Sequence, residues 1–458
     1  MNSSADTPAR NTPAGDTPAG GAPAHDTAAG GTPAPHLPER SPWAWIPSLY
    51  FAEGIPYVVA MTVSVIMYKR FGISNTDIAL YTSWLYLPWV LKPLWSPFVD
   101  MFRTKRFWIV LLQFVIGASL ASVAVTIPLP AFFQITLAIF WLMAFASSTH
   151  DIAADGFYML GLPEHQQAAF VGVRSTFYRI AMITGQGLLV VVAGRLEAVG
   201  DLKTAWSLTF GILAVIFLGF AIYHRLRLPR PASDHPVRSE GSTTVVREFL
   251  TVFARFFRKP RMLAILAFLL FYRFGEAQLV KMVTPFLLDP RSSGGLGLST
   301  GEVGIAYGTV GVIALTIGGL LGGYVVSRHG LHTWLWPMVI IMHVPDLTFV
   351  YLSHVQPESF LVITSGVALE QFGYGFGFTA YTLYMILAAE GENKTAHFAI
   401  CTGFMALGMM IPGMASGAIQ EALGYKTFFI WIMLSTIPSF IVPALVKIPR
   451  GFGKKKAS

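Results

Sequence analysis

The chain has 458 residues, of which 54% are hydrophobic and only 12% are charged, about half the charged fraction of a typical soluble domain. So much apolar surface cannot be hidden inside a water-soluble globule of this length, which excludes a soluble domain and indicates a protein that faces lipid. The formal net charge of +8 fits basic loops beside a membrane, and no cluster of basic and aromatic residues favours nucleic-acid binding.

Residues 1–40 form a low-complexity segment that repeats Thr-Pro-Ala and Gly units. A segment with so few large apolar side chains cannot offset the entropy of ordering, so we expect a disordered cytoplasmic tail. It lacks the apolar core of a signal peptide.

Twelve apolar stretches follow, and most are about 20 residues or longer, which is the length needed to cross the hydrocarbon layer. The predicted spans are 43–68, 78–100, 107–128, 131–155, 168–194, 204–224, 262–288, 302–327, 333–354, 359–389, 396–420 and 426–447. Gly54 and Pro56 interrupt the first span, and Gly373, Gly375 and Gly377 loosen the tenth, as in helices that flex or pack closely.

A polar, basic segment at 225–261 separates the sixth span from the seventh, and its sequence VVREFLTVFARFF predicts an interfacial amphipathic helix. The chain is thereby divided into an N-terminal half, 41–224, a C-terminal half, 262–447, and a basic tail, 448–458. Two six-helix halves joined by a basic loop are typical of major-facilitator transporters. The expected fold is therefore an all-α membrane protein with the major-facilitator fold and 12 transmembrane helices.

The basic residues also predict the orientation of the chain. If the N-terminus is cytoplasmic, Lys and Arg in the cytoplasmic loops and tail outnumber those in the opposite loops about threefold. Both termini are therefore expected in the cytoplasm.

The loop after the second span carries an acidic residue followed by closely spaced basic ones: Asp100, Arg103, Lys105 and Arg106. This arrangement follows the major-facilitator signature between helices 2 and 3, and Arg328 marks a degenerate second copy after the eighth span. We expect these residues to form a conformational latch on the cytoplasmic side. The alternative is an ordinary basic loop that anchors the membrane surface.

Charged and amide side chains occur at mid-depth in three spans: Glu53 in the first, Arg273 and Glu276 in the seventh, and Glu370 and Gln371 in the tenth. Such groups are costly in lipid, so they usually face a cavity or a partner. In the major-facilitator architecture helices 1, 4, 7 and 10 line the central cavity, which predicts a polar substrate site there. The alternative for Arg273 and Glu276 is mutual neutralisation across one helical turn.

Glu53 and Glu370 have no obvious local partner, and a buried, unpaired carboxylate suits a proton carrier. Lys281 lies farther outward in the seventh span and is expected to guide an anionic substrate. Asp346 in the ninth span is an exception to the pattern, with a structural pair or a place near a loop as its expected role.

The segment from 147 to 179 combines carboxylates and arginines. Asp151 and Asp155 share one face of the fourth span, while Arg174 and Arg179 in the fifth span return to a similar depth. These four residues predict a proton relay or a gate, with a permanent structural salt bridge as the alternative.

Enzyme signatures such as GxxxxGK[ST], HExxH and GxSxG on a strand–turn–helix are missing from the sequence, and the single cysteine, Cys401, excludes an intramolecular disulfide and a cysteine-based zinc site. We therefore expect no enzymatic activity, no cofactor and no metal. Without an ATP-binding motif, transport should draw on an ion gradient.

Several pieces of the chain resemble the AmpG-type muropeptide permeases of the major facilitator superfamily, which are related to the acetyl-coenzyme A transporters. The matching pieces are EGIPYVV (53–59), LKPLWSPFVD (91–100), HDIAADGFYMLGLP (150–163), Tyr178–Arg179 and the run from Thr395 to Tyr425. The resemblance implies a monomeric protein of the inner membrane. It also implies proton-driven import of N-acetylglucosaminyl-1,6-anhydro-N-acetylmuramic acid (GlcNAc-anhydro-MurNAc), an anionic amino-sugar compound, with or without its peptide, for cell-wall recycling.

Two alternatives stay open from the sequence. The substrate could be another organic anion, an oligosaccharide, a peptide or a coenzyme A ester. A non-transporting membrane sensor or scaffold is the third hypothesis, and charged side chains in helices 1, 7 and 10 around one cavity argue against it.

Overall fold

The computed structural model describes residues 41–236, 242–391 and 393–455, and these residues form helices joined by short connections. The predicted tail at 1–40 lies outside the described residues. We refer to residues 41–236 as the N-terminal part and to residues 242–455 as the C-terminal part.

The helices of the N-terminal part are α1 (Ile46–Val58), α2 (Ser64–Arg70), α3 (Asn75–Trp84), α4 (Leu87–Met101), α5 (Lys105–Thr126), α6 (Phe132–Gly161), α7 (Glu164–Met182), α8 (Leu189–Val199) and α9 (Leu202–Arg227). The helices of the C-terminal part are α10 (Ser242–Phe257), α11 (Met262–Phe271), α12 (Phe274–Leu288), α13 (Thr300–Val303), α14 (Val312–His329), α15 (Leu331–His343), α16 (Leu347–Val355), α17 (Phe360–Ala389), α18 (Lys394–Ser435) and α19 (Ile437–Leu445). Wider π-helical turns at Val59–Val63, Ile183–Leu188 and Gly304–Gly311 join α1 to α2, α7 to α8 and α13 to α14.

Within the described ranges, nine helical segments are long and apolar enough to cross a membrane. One of them, Lys394–Leu445, contains two predicted spans, which meet at the non-helical Gly424 with φ of 69°. The predicted second and tenth spans correspond to α3 with α4 and to α17, which are helical but outside the nine. A helix therefore occupies every predicted span, and the number of crossings, twelve, stays a prediction.

Polar side chains fix where several helices begin. Ser74 accepts a hydrogen bond from the backbone N–H of Asp77 at the start of α3, and Asp201 accepts one from Thr204 at the start of α9. Such caps satisfy backbone donors that have no partner inside the helix. The connections before α3 and α9 are short, so neighbouring helices run antiparallel.

Large apolar side chains cover much of the outer surface of the described chain. Val199, Leu263 and Leu361 are 85%, 84% and 74% exposed, and many other Leu, Ile, Val, Phe and Trp side chains are also exposed. An apolar exterior of this extent is suited to lipid rather than water. The structure is thus that of a multi-pass membrane protein.

The two parts meet most closely at the end of the bundle where α2 ends and α3 begins, which we call the distal end. There a Cβ on Gly194 would lie 2.4 Å from the backbone nitrogen of Gly301, and a Cβ on Gly308 would lie 1.8 Å from the carbonyl oxygen of Gln186. Toward the opposite, proximal end, Gly323 has no other atoms within 4 Å of its Cβ position. The backbones of the two parts are therefore in direct contact toward the distal end.

Candidate transport site

Charged side chains are buried at the centre of this apolar bundle. The buried ones within the described segments include Glu53, Arg273, Glu276, Lys281, Asp346 and Glu370, each with no more than 8% of its surface exposed. A charge in such surroundings needs a compensating partner or a ligand. Their positions define the candidate site.

Arg273 lies at the junction of α11 and α12, where its backbone leaves the helical conformation. Its guanidinium donates a hydrogen bond to the Tyr374 hydroxyl and lies 4.9 Å from the centres of both the Tyr374 and Phe378 rings. Tyr374 and Phe378 are one turn apart in α17 and so share a face. Aromatic faces, rather than a directly bonded carboxylate, surround this cation.

Glu276 and Glu370 point toward the same place from α12 and α17. One carboxylate oxygen from each of them and one from Asp346 all lie within 4.8 Å of one another. The Arg273–Glu276 neutralisation considered from the sequence is electrostatic only, because neither oxygen of Glu276 has a hydrogen-bond partner among the described residues.

Lys281 and Gln371 complete the predicted substrate groups. The Lys281 ammonium donates to the Thr82 hydroxyl at 2.9 Å and lies 5.7 Å from the Tyr86 ring, so it bridges the two parts of the chain. The Gln371 amide donates to Glu370 at 3.0 Å. Lys281 is buried at the contact between the parts, at the side of α12 that faces α3.

A second group of charges occupies the N-terminal part. Arg174 and Asp155 form an ion pair at 2.5 Å, and Lys92 lies 3.7 Å from Asp151. Glu53 interacts electrostatically with both aspartates, and its Oε2 has no hydrogen-bond partner in the described chain. Two carboxylates of this group are thus paired with cations while Glu53 is not.

The structure separates the four residues that the sequence predicts as one relay or gate. Arg174 packs over the Tyr50 ring at 4.5 Å beside Asp155. Arg179, by contrast, approaches the C-terminal part, with Nη2 3.9 Å from where a Cβ on Gly319 would lie. Asp151 and Asp155 have different basic partners, so the two aspartates form two pairs rather than one cluster with both arginines.

Sequence reasoning missed three residues of these groups: Trp89, Lys92 and His343. Trp89 donates to Asp151 at 3.0 Å, and Lys92 pairs with the same carboxylate. His343 lies 3.6 Å from Asp346, which the sequence had already singled out and which joins the carboxylates of the C-terminal part. Lys92 carried a usable signal, a lysine within a predicted apolar span, whereas the role of His343 depends on contacts between distant helices.

The predicted latch lies at the proximal end, although the Asp100 side chain is outside what the structure describes. The backbone N–H groups of Lys105 and Arg106 donate to the Asp234 carboxylate at 2.7 and 3.1 Å, so the loop is held by the central segment. The two remaining latch residues lie over aromatic rings: Arg103 is 5.7 Å from Phe107 and Arg328 is 4.9 Å from Tyr324. Their role as a latch stays a prediction.

Polar contacts join the two parts at the distal end. The Asp289 carboxylate accepts from Lys69 at 2.6 Å and from the Tyr425 hydroxyl at 2.6 Å. Asn75 donates to Gln420 at 2.6 Å and to Tyr425 at 2.9 Å. We call Lys69, Asn75, Asp289, Gln420 and Tyr425 the distal network.

A bundle of apolar helices with charges at its centre and a polar closure at one end defines a membrane transport protein. The chain belongs to the Major Facilitator Superfamily, whose sequence profile matches residues 48–389. It is therefore a secondary transporter and a permease rather than an enzyme.

Similar proteins agree with this assignment. The chain is 26% identical over 408 residues to the putative transporter AmpG 4 of Rickettsia conorii, covering 86% of this chain and 94% of that protein. It is 24% identical over 407 residues to the anhydromuropeptide permease of Escherichia coli K12, covering 86% of this chain and 77% of that protein. The nucleoside transporter NupG shares the fold, with a TM-score of 0.67, 15% identity and coverage of 88% and 99%.

Proposed function

We propose that the chain is a proton-coupled importer of muropeptides, GlcNAc-anhydro-MurNAc with or without its peptide, across the inner membrane for cell-wall recycling. The name of the Escherichia coli relative, anhydromuropeptide permease, supports the substrate class. The single observation that carries the proposal is Arg273, a buried cation among aromatic rings at the centre of the bundle. A sugar acid presents a carboxylate for such a cation and ring faces for the aromatic side chains.

The proposed substrate-binding residues are assigned by the charge and the hydrogen bonds that each side chain can offer. Arg273 and Lys281 supply positive charge for the anion, and Gln371 supplies amide hydrogen bonds for hydroxyl and acetamido groups. Glu276 interacts electrostatically with Arg273, and Glu370 accepts a hydrogen bond from Gln371, so these two carboxylates are proposed as acceptors for sugar hydroxyls or as carriers of the coupled proton. Glu53, in the second group of charges, is proposed for the same roles. Lipid surrounds the bundle, and a monomer is the proposed state.

The proposed gating groups lie on the proximal side of the site. Asp151, Asp155, Arg174 and Arg179 would exchange partners as the two parts rock, with the basic loop of the latch resisting separation. The excess of basic residues in the proximal loops supports the proposal that both termini are cytoplasmic.

The test is uptake of labelled GlcNAc-anhydro-MurNAc into proteoliposomes, with and without an inward proton gradient. Uptake that depends on the gradient is expected. Uptake that is equal without the gradient would contradict proton coupling, and no uptake by folded protein would contradict the substrate.

If folded protein takes up no GlcNAc-anhydro-MurNAc, another organic anion becomes the leading substrate class. Four cations, Lys92, Arg179, Arg273 and Lys281, lie on the predicted cavity helices or their neighbours, and none of them selects a sugar in particular. A thermal-shift screen of sugars, peptides and coenzyme A esters would then identify which compounds the protein binds.

A further inference from the structure

Three acidic side chains from different elements converge inside the C-terminal part. Glu276 comes from α12, Asp346 from the 3-10 turn Val344–Asp346 and Glu370 from α17. One carboxylate oxygen from each residue lies within 4.8 Å of the other two, and the three side chains are 0%, 1% and 1% exposed. We call these three residues the triacid cluster.

The triacid cluster is poor in compensating groups. Of its six oxygens, five have no hydrogen-bond partner in the described chain, and the sixth accepts from Gln371. Ionised carboxylates this close repel one another more strongly in a protein interior than in water, and there are three such pairs. Burial adds a desolvation cost for each charge. Three ionised carboxylates cannot coexist here with Arg273 as the neighbouring guanidinium.

A buried histidine gives an independent sign of a proton at this place. His343 is 0% exposed, and its Nε2 lies 3.2 Å from the backbone carbonyl of Tyr272, which can only accept. Nε2 therefore carries the hydrogen. The other nitrogen, Nδ1, has no hydrogen-bond partner and lies 3.6 Å from Oδ2 of Asp346. Two acceptors would face each other there unless His343 is protonated or Asp346 is.

We propose that the triacid cluster with His343 is the proton-binding site that couples transport, so that the coupled proton is carried by Glu276, Asp346 and Glu370 as a group rather than by Glu53. This inference rests on the proposed proton coupling and assigns it to particular residues. Asp346, which the sequence singled out as an exception, belongs to the site.

Arg273 links this proton site to the substrate. It interacts electrostatically with Glu276 and reaches the Tyr374 ring system, one turn along α17 from Glu370. An anion that binds Arg273 cancels part of the positive field that favours ionised carboxylates, so the triacid cluster gains proton affinity. By reciprocity, a bound proton frees Arg273 to bind the anion. Substrate and proton therefore bind together, as symport requires.

The groups that face the triacid cluster limit which residues can change charge there near neutral pH. Besides Arg273 and His343, the described neighbours that interact electrostatically with its members are the phenols Tyr307 and Tyr374, which stay neutral at ordinary pH. The closest nearby base is His343. A change in charge near neutral pH must therefore occur in the carboxylates or in His343.

The first test measures protonation of the triacid cluster and needs no substrate. Infrared difference spectra of purified full-length protein, recorded while pH is varied, should show a band from protonated carboxyl groups that weakens in Glu276→Gln, Asp346→Asn and Glu370→Gln. Glu358→Gln, an exposed carboxylate, serves as the matched control and should keep the band. An unchanged band in all three variants would overturn the proposal. If one variant does not fold, the other two carry the test.

The second test measures the coupling of substrate accumulation to the proton gradient. With GlcNAc-anhydro-MurNAc as the probe, each folded variant should lose accumulation against a gradient at least tenfold while keeping counterflow exchange. Accumulation that survives in the triacid variants but is lost in Glu53→Gln would place the proton at Glu53. If the carboxyl band shifts with NaCl but not with choline chloride, the coupling ion is sodium rather than the proton. Because the infrared band needs no substrate, failure of the muropeptide proposal leaves the first test intact.

Discussion

Arg273 differs from an ordinary buried arginine in its surroundings. Its hydrogen-bond partner is a phenol, its nearest neighbours are ring faces, and its buried Nε has no hydrogen-bond partner in the described chain. The planar guanidinium can bind a carboxylate through two parallel hydrogen bonds while it stays stacked on the rings. A lysine offers neither the bidentate geometry nor the stacking.

Arg273→Ala should therefore reduce uptake of the substrate at least about tenfold, because a buried charged hydrogen bond contributes 2 kcal/mol or more to binding. Arg273→Lys should recover only part of the loss. Uptake into proteoliposomes and binding to detergent-solubilised protein measure both effects. Arg195→Ala, an exposed arginine in α8, is the control and should transport normally. Normal uptake by folded Arg273→Ala would remove this residue from the substrate site.

The sequence predicts which residues carry buried charge, because a charged side chain in an apolar span is easily recognised. Their partners are less predictable, since they lie on helices far apart in the chain. Trp89 and Lys92 bind Asp151 from a helix some 60 residues earlier. The separation of Arg174 from Arg179 also follows from the packing of α7 between two surfaces, and sequence spacing alone does not specify it.

At the scale of helices, one π-helical turn from the N-terminal part crosses one from the C-terminal part, and this contact joins the two parts. Gly304–Gly311 lies against Ile183–Leu188, and Gly308 meets the backbone of Gln186 with no room for a side chain. A π-helical turn leaves some backbone groups less tightly paired, and such turns are frequent at functional sites. The close approach is therefore suited to a contact that opens and closes.

Gly308→Ala should disrupt this contact, because its Cβ would lie 1.8 Å from the Gln186 carbonyl oxygen. We expect loss of transport with a small change in thermal unfolding, since the parts can separate to relieve the overlap. Gly375→Ala should instead lower the unfolding temperature, because its Cβ would meet Leu315 within the C-terminal part. Gly323→Ala, which has open space, is the control. Normal transport by Gly308→Ala would show that the crossing is not needed.

Helix positions were predictable because apolar stretches of membrane length leave few alternatives. The places where helices are interrupted were less predictable. The glycines of the tenth span were expected to loosen it, yet α17 is continuous from Phe360 to Ala389 and Gly373, Gly375 and Gly377 instead allow close packing. The break between α3 and α4 has a local cause, because Pro88 in the first turn of α4 has no N–H to bond the carbonyl of Trp84, where α3 ends. The break beside Arg273 has no glycine or proline at the break itself, so tertiary packing determines it.

At the scale of the whole molecule, Asp289 is the centre of the distal network. It receives Lys69 from the N-terminal part and Tyr425 from its own part, and Asn75 lies 3.4 Å away. Removing its charge leaves Lys69 without its counter-ion. The cost, about 1–2 kcal/mol, favours separation of the parts at this end by roughly tenfold.

Asp289→Asn should therefore increase the population in which the distal end is open. Spin labels at Val199 and Lys426, both exposed at the distal end and one in each part, would show a longer distance between them. The labels are placed in a Cys401→Ala background, because Cys401 is the single cysteine of the chain. Asp201→Asn, which changes a helix cap within the N-terminal part, should leave the distance unchanged. An unaltered distribution in Asp289→Asn would contradict a closing role for the network.

Transport by rocking of two parts requires the distal end to open once per cycle. Thr76 and Glu421 lie on opposite sides of that contact, with a hydrogen bond of 2.5 Å between their side chains. In the Cys401→Ala background, Thr76→Cys with Glu421→Cys, joined by a cleavable thiol-specific linker, should stop uptake, and reduction should restore it. Pro128→Cys with Lys203→Cys is the matched control: the Lys203 ammonium lies 3.4 Å from the Pro128 carbonyl oxygen at the same end, but within the N-terminal part. Joining that pair should leave uptake intact, because the two residues move together. Full uptake with Thr76 and Glu421 joined would mean that substrate crosses without distal opening, and the close contacts between the two parts would then be a permanent interface.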